Sequence, residues 1–313
     1  MHRAKLPITN KNVDIIMQIV YNFMRRTAKV GRCYIEVMII NIFNYTYIIT
    51  LLAAALFIGA VYFPLRNRSV YAKETALYVL MGFNVSQHFF KFIIWPHCWG
   101  TGFGYINTAY NVCAILIIST PIIYVFGHSL LRQYVTYVGT IGATMTLFIP
   151  FWFLGNTILT WEYLRFWTCH VLLAATSLLP ALWGLVKFDW RDGWKFGLIF
   201  LVMLSLILLN NTLYMVIFDK VKSEDLYEAL RTQNPIWMMG PFGGVESVRP
   251  IFEGLSPGFL LETSSHPHIP ILWYAVPVYI GITVAGYLLG FACDWKRLLG
   301  TPKTMLKADK LIN

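Results

Sequence analysis

The chain has 313 residues, 57% of them hydrophobic and only 13% charged, with a formal net charge of +10. Soluble domains carry about 25% charge and about 45–50% apolar residues. Here the apolar excess gathers into long uncharged runs, the signature of a polytopic membrane protein rather than a soluble enzyme or a nucleic-acid binder.

The first 37 residues form a basic segment. Arg3, Lys5, Lys11, Arg25, Arg26, Lys29 and Arg32 stand against Asp14 up to residue 33. VDIIMQIVYNFMRR reads as an amphipathic helix lying on anionic lipid, or as part of a targeting segment. Residues 38–292 form the membrane domain, an all-α bundle in which seven apolar runs approach the ~20 residues needed to cross a bilayer. They fall at 38–64, 75–95, 107–127, 134–153, 162–186, 196–218 and 270–292. A long extramembrane segment at 219–269 includes the apolar string WMMGPF, a candidate docking surface. Residues 293–313 form a basic tail.

Seven spans put the termini on opposite faces. Loops 65–74, 128–133 and 187–195 hold seven Lys/Arg, which would make their side cytoplasmic. The basic N-terminus then falls on the other side, so orientation stays open.

Of the five cysteines, Cys33, Cys98, Cys113, Cys169 and Cys293, none has metal-ligand spacing. Cys113 and Cys169 lie within apolar runs, which argues against a disulfide scaffold. His266 and His268 make a weak metal pair, and no metal or diffusible cofactor is expected.

Ionisable residues at membrane depth are costly and therefore candidates for function. Cys113 lies about 9 Å into the third run and His170 about 12 Å into the fifth, at 1.5 Å per residue. Both depths are counted from one face. A thiol beside an imidazole makes a nucleophile; the bland alternative is a packed thiol and a histidine bonded to a carbonyl. Gln87 and His88 near the end of the second run are candidate oxyanion or substrate contacts, and Lys91 snorkels to the surface. Arg165 either grips a phosphate or pairs with Glu162. Of Asn210 and Asn211, one at most is expected to enter a cavity. Asn111 is expected to tie helices together, and Gly139, Gly142 and Ala143 to pack them.

The collinear series NVCAILIIST, YVTYVGTIGATMTLFIP and YLRFWTCHVLLAATSLLPAL resembles the YwaF-like family of integral membrane proteins, related to the transmembrane protein 164 acyltransferases. The resemblance covers about residues 70–292, with the motifs in 107–186. It implies fatty-acyl transfer between phospholipids through an acyl-cysteine, the roles of nucleophile and base falling on Cys113 and His170. Thr108-Ala-Tyr-Asn111 stands where the family carries Leu-Pro and a His, Gln or Glu ahead of the Cys. A second expectation from the residues is a non-catalytic accessory subunit that binds lipid and packs against other membrane proteins; a transporter is disfavoured by the absence of a repeat.

Overall fold

A computed structural model describes residues 39–94, 104–150, 153–155, 157–232, 237–241, 249–264 and 266–298. The expected interfacial helix in 1–37, most of the glycine-rich loop at 95–103, and the tail beyond 298 lie outside the described residues.

The described residues are helical, and seven long helices follow the seven apolar runs. They are α1 (Tyr45–Leu65), α2 (Val70–Phe89), α4 (Val112–Phe126), α5 (Ser129–Phe148), α6 (Trp161–Leu182), α7 (Lys195–Ile217) and α10 (Ala275–Leu298), with α3 (Lys91–Ile94) a single turn after α2. Two short helices, α8 (Leu226–Thr232) and α9 (Arg249–Gly254), lie between α7 and α10. Four stretches are long and apolar enough to cross a membrane: 45–65, 105–126, 195–217 and 272–294.

Side-chain caps set most of the helix starts. Asn44, Ser69, Asn111 and Thr160 each accept the backbone N–H three residues on, satisfying one of the four orphan donors at a helix start. Ser69 starts α2 earlier than expected, taking Lys73 into its first turns. α5 likewise begins at Ser129, with Arg132 and Gln133 helical rather than in a loop. Gln133 is held inside because its Oε1 accepts from Asp189 N, 2.7 Å away. At the far end of α6, Gly184 adopts φ +69° and turns the chain back, with Leu185 N donating to Pro180 O at 2.9 Å.

Burial inverts the pattern of a water-soluble protein. The most apolar span, α1, has only 6% of its central window buried. The more polar α5 and α6 are central, with Gln133–Thr140 and Val171–Ser177 continuously buried. Lipid is as apolar as a core, so greasy side chains gain nothing by facing inward, whereas hydroxyls and amides must. The buried threonines bond back to the preceding turn, Thr140 to Thr136 O at 2.6 Å and Thr176 to Leu172 O at 2.9 Å. A Cβ added to Gly139 would meet Ser177 Oγ at 2.6 Å, so that glycine sets how closely α5 and α6 approach. One added to Gly197 would meet Tyr279 O at 2.7 Å, which does the same for α7 and α10.

Connections lock the ends. Gly155 N donates to Ile40 O at 2.8 Å, joining the entry of α1 to the α5–α6 connection. At the opposite end, Phe188 N donates to Asp294 Oδ2 at 2.5 Å, and Phe188 seats against Gly290 of α10. In the segment between α7 and α10, Met238 and Met239 are 1% and 3% exposed, and Trp237 O accepts from Trp273 Nε1 at 2.8 Å. The WMMG string is therefore folded inward and offers no docking surface. Its apolar side chains compete successfully for the ends of α7 and α10.

Candidate functional site

The third run departs most from a simple span. α4 has 15 residues, about 22 Å at 1.5 Å each, against about 30 Å of hydrocarbon. The missing length is supplied by non-helical chain at 104–111, which includes a 3₁₀ turn at Tyr105–Asn107. Asn107 is 1% exposed, so this stretch is sunk into the bundle. Irregular backbone survives at membrane depth only where protein satisfies its polar groups, and here side chains do so.

His88 Nε2 donates to Thr108 O at 3.0 Å, and the Lys91 ammonium donates to Ile106 O. Asn211 Nδ2 donates to Tyr110 O at 3.2 Å and Asn210 Nδ2 to Thr108 Oγ1 at 2.9 Å. In return, Asn107 Nδ2 reaches His88 O at 3.3 Å and Phe89 O at 3.0 Å, capping the end of α2. Both adjacent asparagines of α7 thus reach the same stretch, and neither lines the cavity described next, within the expectation that one at most would enter it. Lys91, 1% exposed, holds backbone rather than snorkelling. Asn111 caps α4 by accepting from Ala114 N at 2.8 Å instead of bridging helices.

The re-entrant stretch delivers Cys113 to a cavity of about 500 Å³, within the ~300–1,000 Å³ typical of small-molecule sites. Its walls repeat the one-turn spacing of helices: Cys113 and Ile117 on α4, Gly142 and Thr146 on α5, Arg165 with Cys169 and Phe166 with His170 on α6. His88, Tyr110, Asn111 and Phe153 also line it. Cys113 is the second residue of α4 and His170 the tenth of α6. They meet in one cavity because α4 starts deep.

His170 Nδ1 lies 2.7 Å from Phe166 O. A carbonyl only accepts, so Nδ1 carries the proton, and the neutral imidazole keeps Nε2 as its basic nitrogen. The Phe166 ring, 4.4 Å away between centroids, packs on the same imidazole. Cys113 Sγ is 4.0 Å from Thr146 Oγ1, whose own proton goes to Gly142 O at 2.8 Å. The thiol proton therefore points to Thr146; among the described residues no hydrogen bond joins Cys113 to His170.

Of the residues singled out from sequence, the fold gathers Cys113, His170, His88 and Arg165 into these walls. Gln87 and Asn210 are not among them. Gln87 is 2% exposed on α2, and Asn210 is spent on Thr108. Asn111 and Gly142, expected only to tie or pack helices, also line the cavity, and Thr146, Tyr110, Phe153 and Cys169 were missed. The signal that finds most of them is spacing four residues from, or adjacency to, a residue already singled out.

No three His, Cys, Asp or Glu groups among the described residues lie close enough to hold a metal ion. His268 instead sits between Glu253 and Glu262, its ring nitrogens 3.4 Å from a carboxylate oxygen of each.

A family model for the TMEM164 family matches residues 39–232. The chain belongs to the TMEM164 family. It is an integral membrane protein. The match takes in α1, which the sequence resemblance had not covered, and stops before α9 and α10. It contains every cavity-lining residue and the whole re-entrant stretch. No curated protein and no solved structure matches this TMEM164-family chain.

Proposed function

We propose that this protein is a membrane-embedded lipid acyltransferase that works through an acyl-Cys113 intermediate, and that all seven long helices cross the bilayer. The observation that carries the reading is the shared cavity, with His170 fixed by Phe166 in the tautomer that leaves Nε2 basic. Family membership adds support for a membrane protein of this architecture.

In the first half-reaction His170 Nε2 takes the thiol proton and Sγ attacks the ester carbonyl carbon of a phospholipid. The S–C bond forms, the ester C–O bond breaks, and His170 returns its proton to the departing lyso-lipid oxygen. In the second, a lipid hydroxyl gives its proton to His170 and attacks the thioester. The acyl chain moves to that oxygen, and Cys113 regains its proton. The N–H groups of Val112 and Cys113, at the start of α4, have no carbonyl partner within the helix and would receive the oxyanion. Ile117, one turn beyond Cys113 on α4, gives an apolar wall that suits the chain.

The bond from Cys113 to Thr146 favours a second reading, a lipid-holding subunit packed against other membrane proteins. One experiment separates the two. The purified protein is incubated with phospholipid and its intact mass measured, beside Cys113→Ala and His170→Ala. A hydroxylamine-sensitive fatty-acyl increment is expected in the wild type and not in Cys113→Ala. In His170→Ala its formation slows by about 10²–10⁴-fold. Absence of the adduct across a lipid panel overturns the acyltransferase and leaves the subunit.

A further inference from the structure

Among the described residues, the cavity wall contains one fixed cation, Arg165, and no carboxylate. The neutral polar groups there are hydroxyls, thiols, an amide and two imidazoles. The guanidinium shares the wall with His88, Tyr110, Cys169 and His170, close enough for its charge to act on each. A positively charged lining in a low-dielectric surrounding selects for negative charge in whatever enters.

Position refines the choice. On α6, Arg165 precedes Cys169 and His170 by about one turn, ~5.4 Å of helix. On α4, Ile117 lies one turn beyond Cys113 on the other side. From the helix starts inward, the order is cation, thiol level, apolar wall. An amphiphile with an anionic head, a short linker, an ester and a hydrocarbon chain has its groups in that order.

We propose that Arg165 is the specificity-determining residue of the cavity and binds the anionic head of the acyl donor, holding its ester at the level of Cys113. This rests on the acyl-cysteine reading for its kinetic consequence, though not for the binding itself. The guanidinium offers two parallel N–H donors, a match to phosphate or carboxylate that an ammonium lacks. In a donor the negative head is a phosphodiester; the free carboxylate of a fatty acid can occupy the same site but carries no ester to transfer.

Full-length protein in nanodiscs tests this in two readouts, each with the wild type, Arg165→Gln and Arg165→Lys. The first is the initial rate of Cys113 acylation from phosphatidylglycerol and from diacylglycerol carrying the same chains. The wild type is expected to prefer phosphatidylglycerol at least 10-fold. Arg165→Gln is expected to abolish that preference by losing the phosphatidylglycerol rate while keeping the diacylglycerol rate, and Arg165→Lys to keep part of it. The second, on the Cys113→Ala background where no chemistry occurs, is native mass spectrometry of retained phosphatidylglycerol, diacylglycerol and oleate. Retention of phosphatidylglycerol or oleate over diacylglycerol, lost in Arg165→Gln, supports the anion site, and the better-retained ligand identifies phosphate or carboxylate as the head. An unchanged preference in Arg165→Gln in both readouts overturns the inference even when the wild type is acylated. A wild type that retains anionic lipid through Arg165 yet never acylates overturns the acyltransferase and upholds Arg165.

Discussion

Asn107 and Asn111 stand four residues apart and look alike in sequence, yet they carry different loads. Asn107 is nearly inaccessible and makes three hydrogen bonds, two as donor to the end of α2 and one as acceptor from Gly104 N at 3.1 Å. Asn111 makes one capping bond at a cavity edge. Asn107→Ala is expected to cost about 2–3 kcal/mol, since it orphans buried backbone groups, and Asn111→Ala about 1 kcal/mol, the usual loss of a cap. Thermal unfolding in detergent measures both, and equal shifts would contradict this division. The same contrast shows what the sequence concealed. That His88 and Asn210 sit at membrane depth was legible, because any polar residue inside an apolar run stands out. Their task was not legible, because a side chain that binds a substrate and one that satisfies a sunken carbonyl are the same residue types.

The helices were legible as runs, for lipid demands an uninterrupted apolar surface wherever a span faces it. Their ends were harder to read. Lys73 and Arg132 look like loop residues, yet Ser69 caps a helix ahead of Lys73, and Gln133, beside Arg132, fixes a loop from within one. Glycines in helix interiors also divide into two kinds that only packing separates. Gly197→Ala is expected to destabilise by about 1–3 kcal/mol, because the new methyl meets the backbone carbonyl of Tyr279 and two helices must part. Gly142 has open space at its Cβ position and faces the cavity. Gly142→Ala is therefore expected to hold or gain stability by about 0.5–1 kcal/mol. Gly142→Leu should fold equally well but fill the cavity and cut Cys113 acylation at least 10-fold. Thermal midpoints alongside intact-mass rates check all three. A destabilised Gly142→Ala would mean that the wall is a helix contact.

At the scale of the molecule, the seven crossings proposed above would place Arg68 and Arg191 on one side of the membrane and Leu159 and Glu224 on the other. Single cysteines at these four exposed positions, in a background without native thiols, are expected to split two and two when sealed vesicles meet an impermeant maleimide. Labelling of all four from one side would break the alternation. The seven-helix layout was readable because apolar length is counted directly. The cavity was only half readable, because its depth depends on a short helix whose missing turns are replaced by folded chain. That layout bears on how the protein is made. α1 is greasy enough to settle in the bilayer alone as it leaves the ribosome. α5 and α6, which form two of the cavity walls, carry more polar surface and pack most extensively against one another. Joint entry as a hairpin is therefore the expected route, which would assemble the pocket during biogenesis rather than carve it out afterwards.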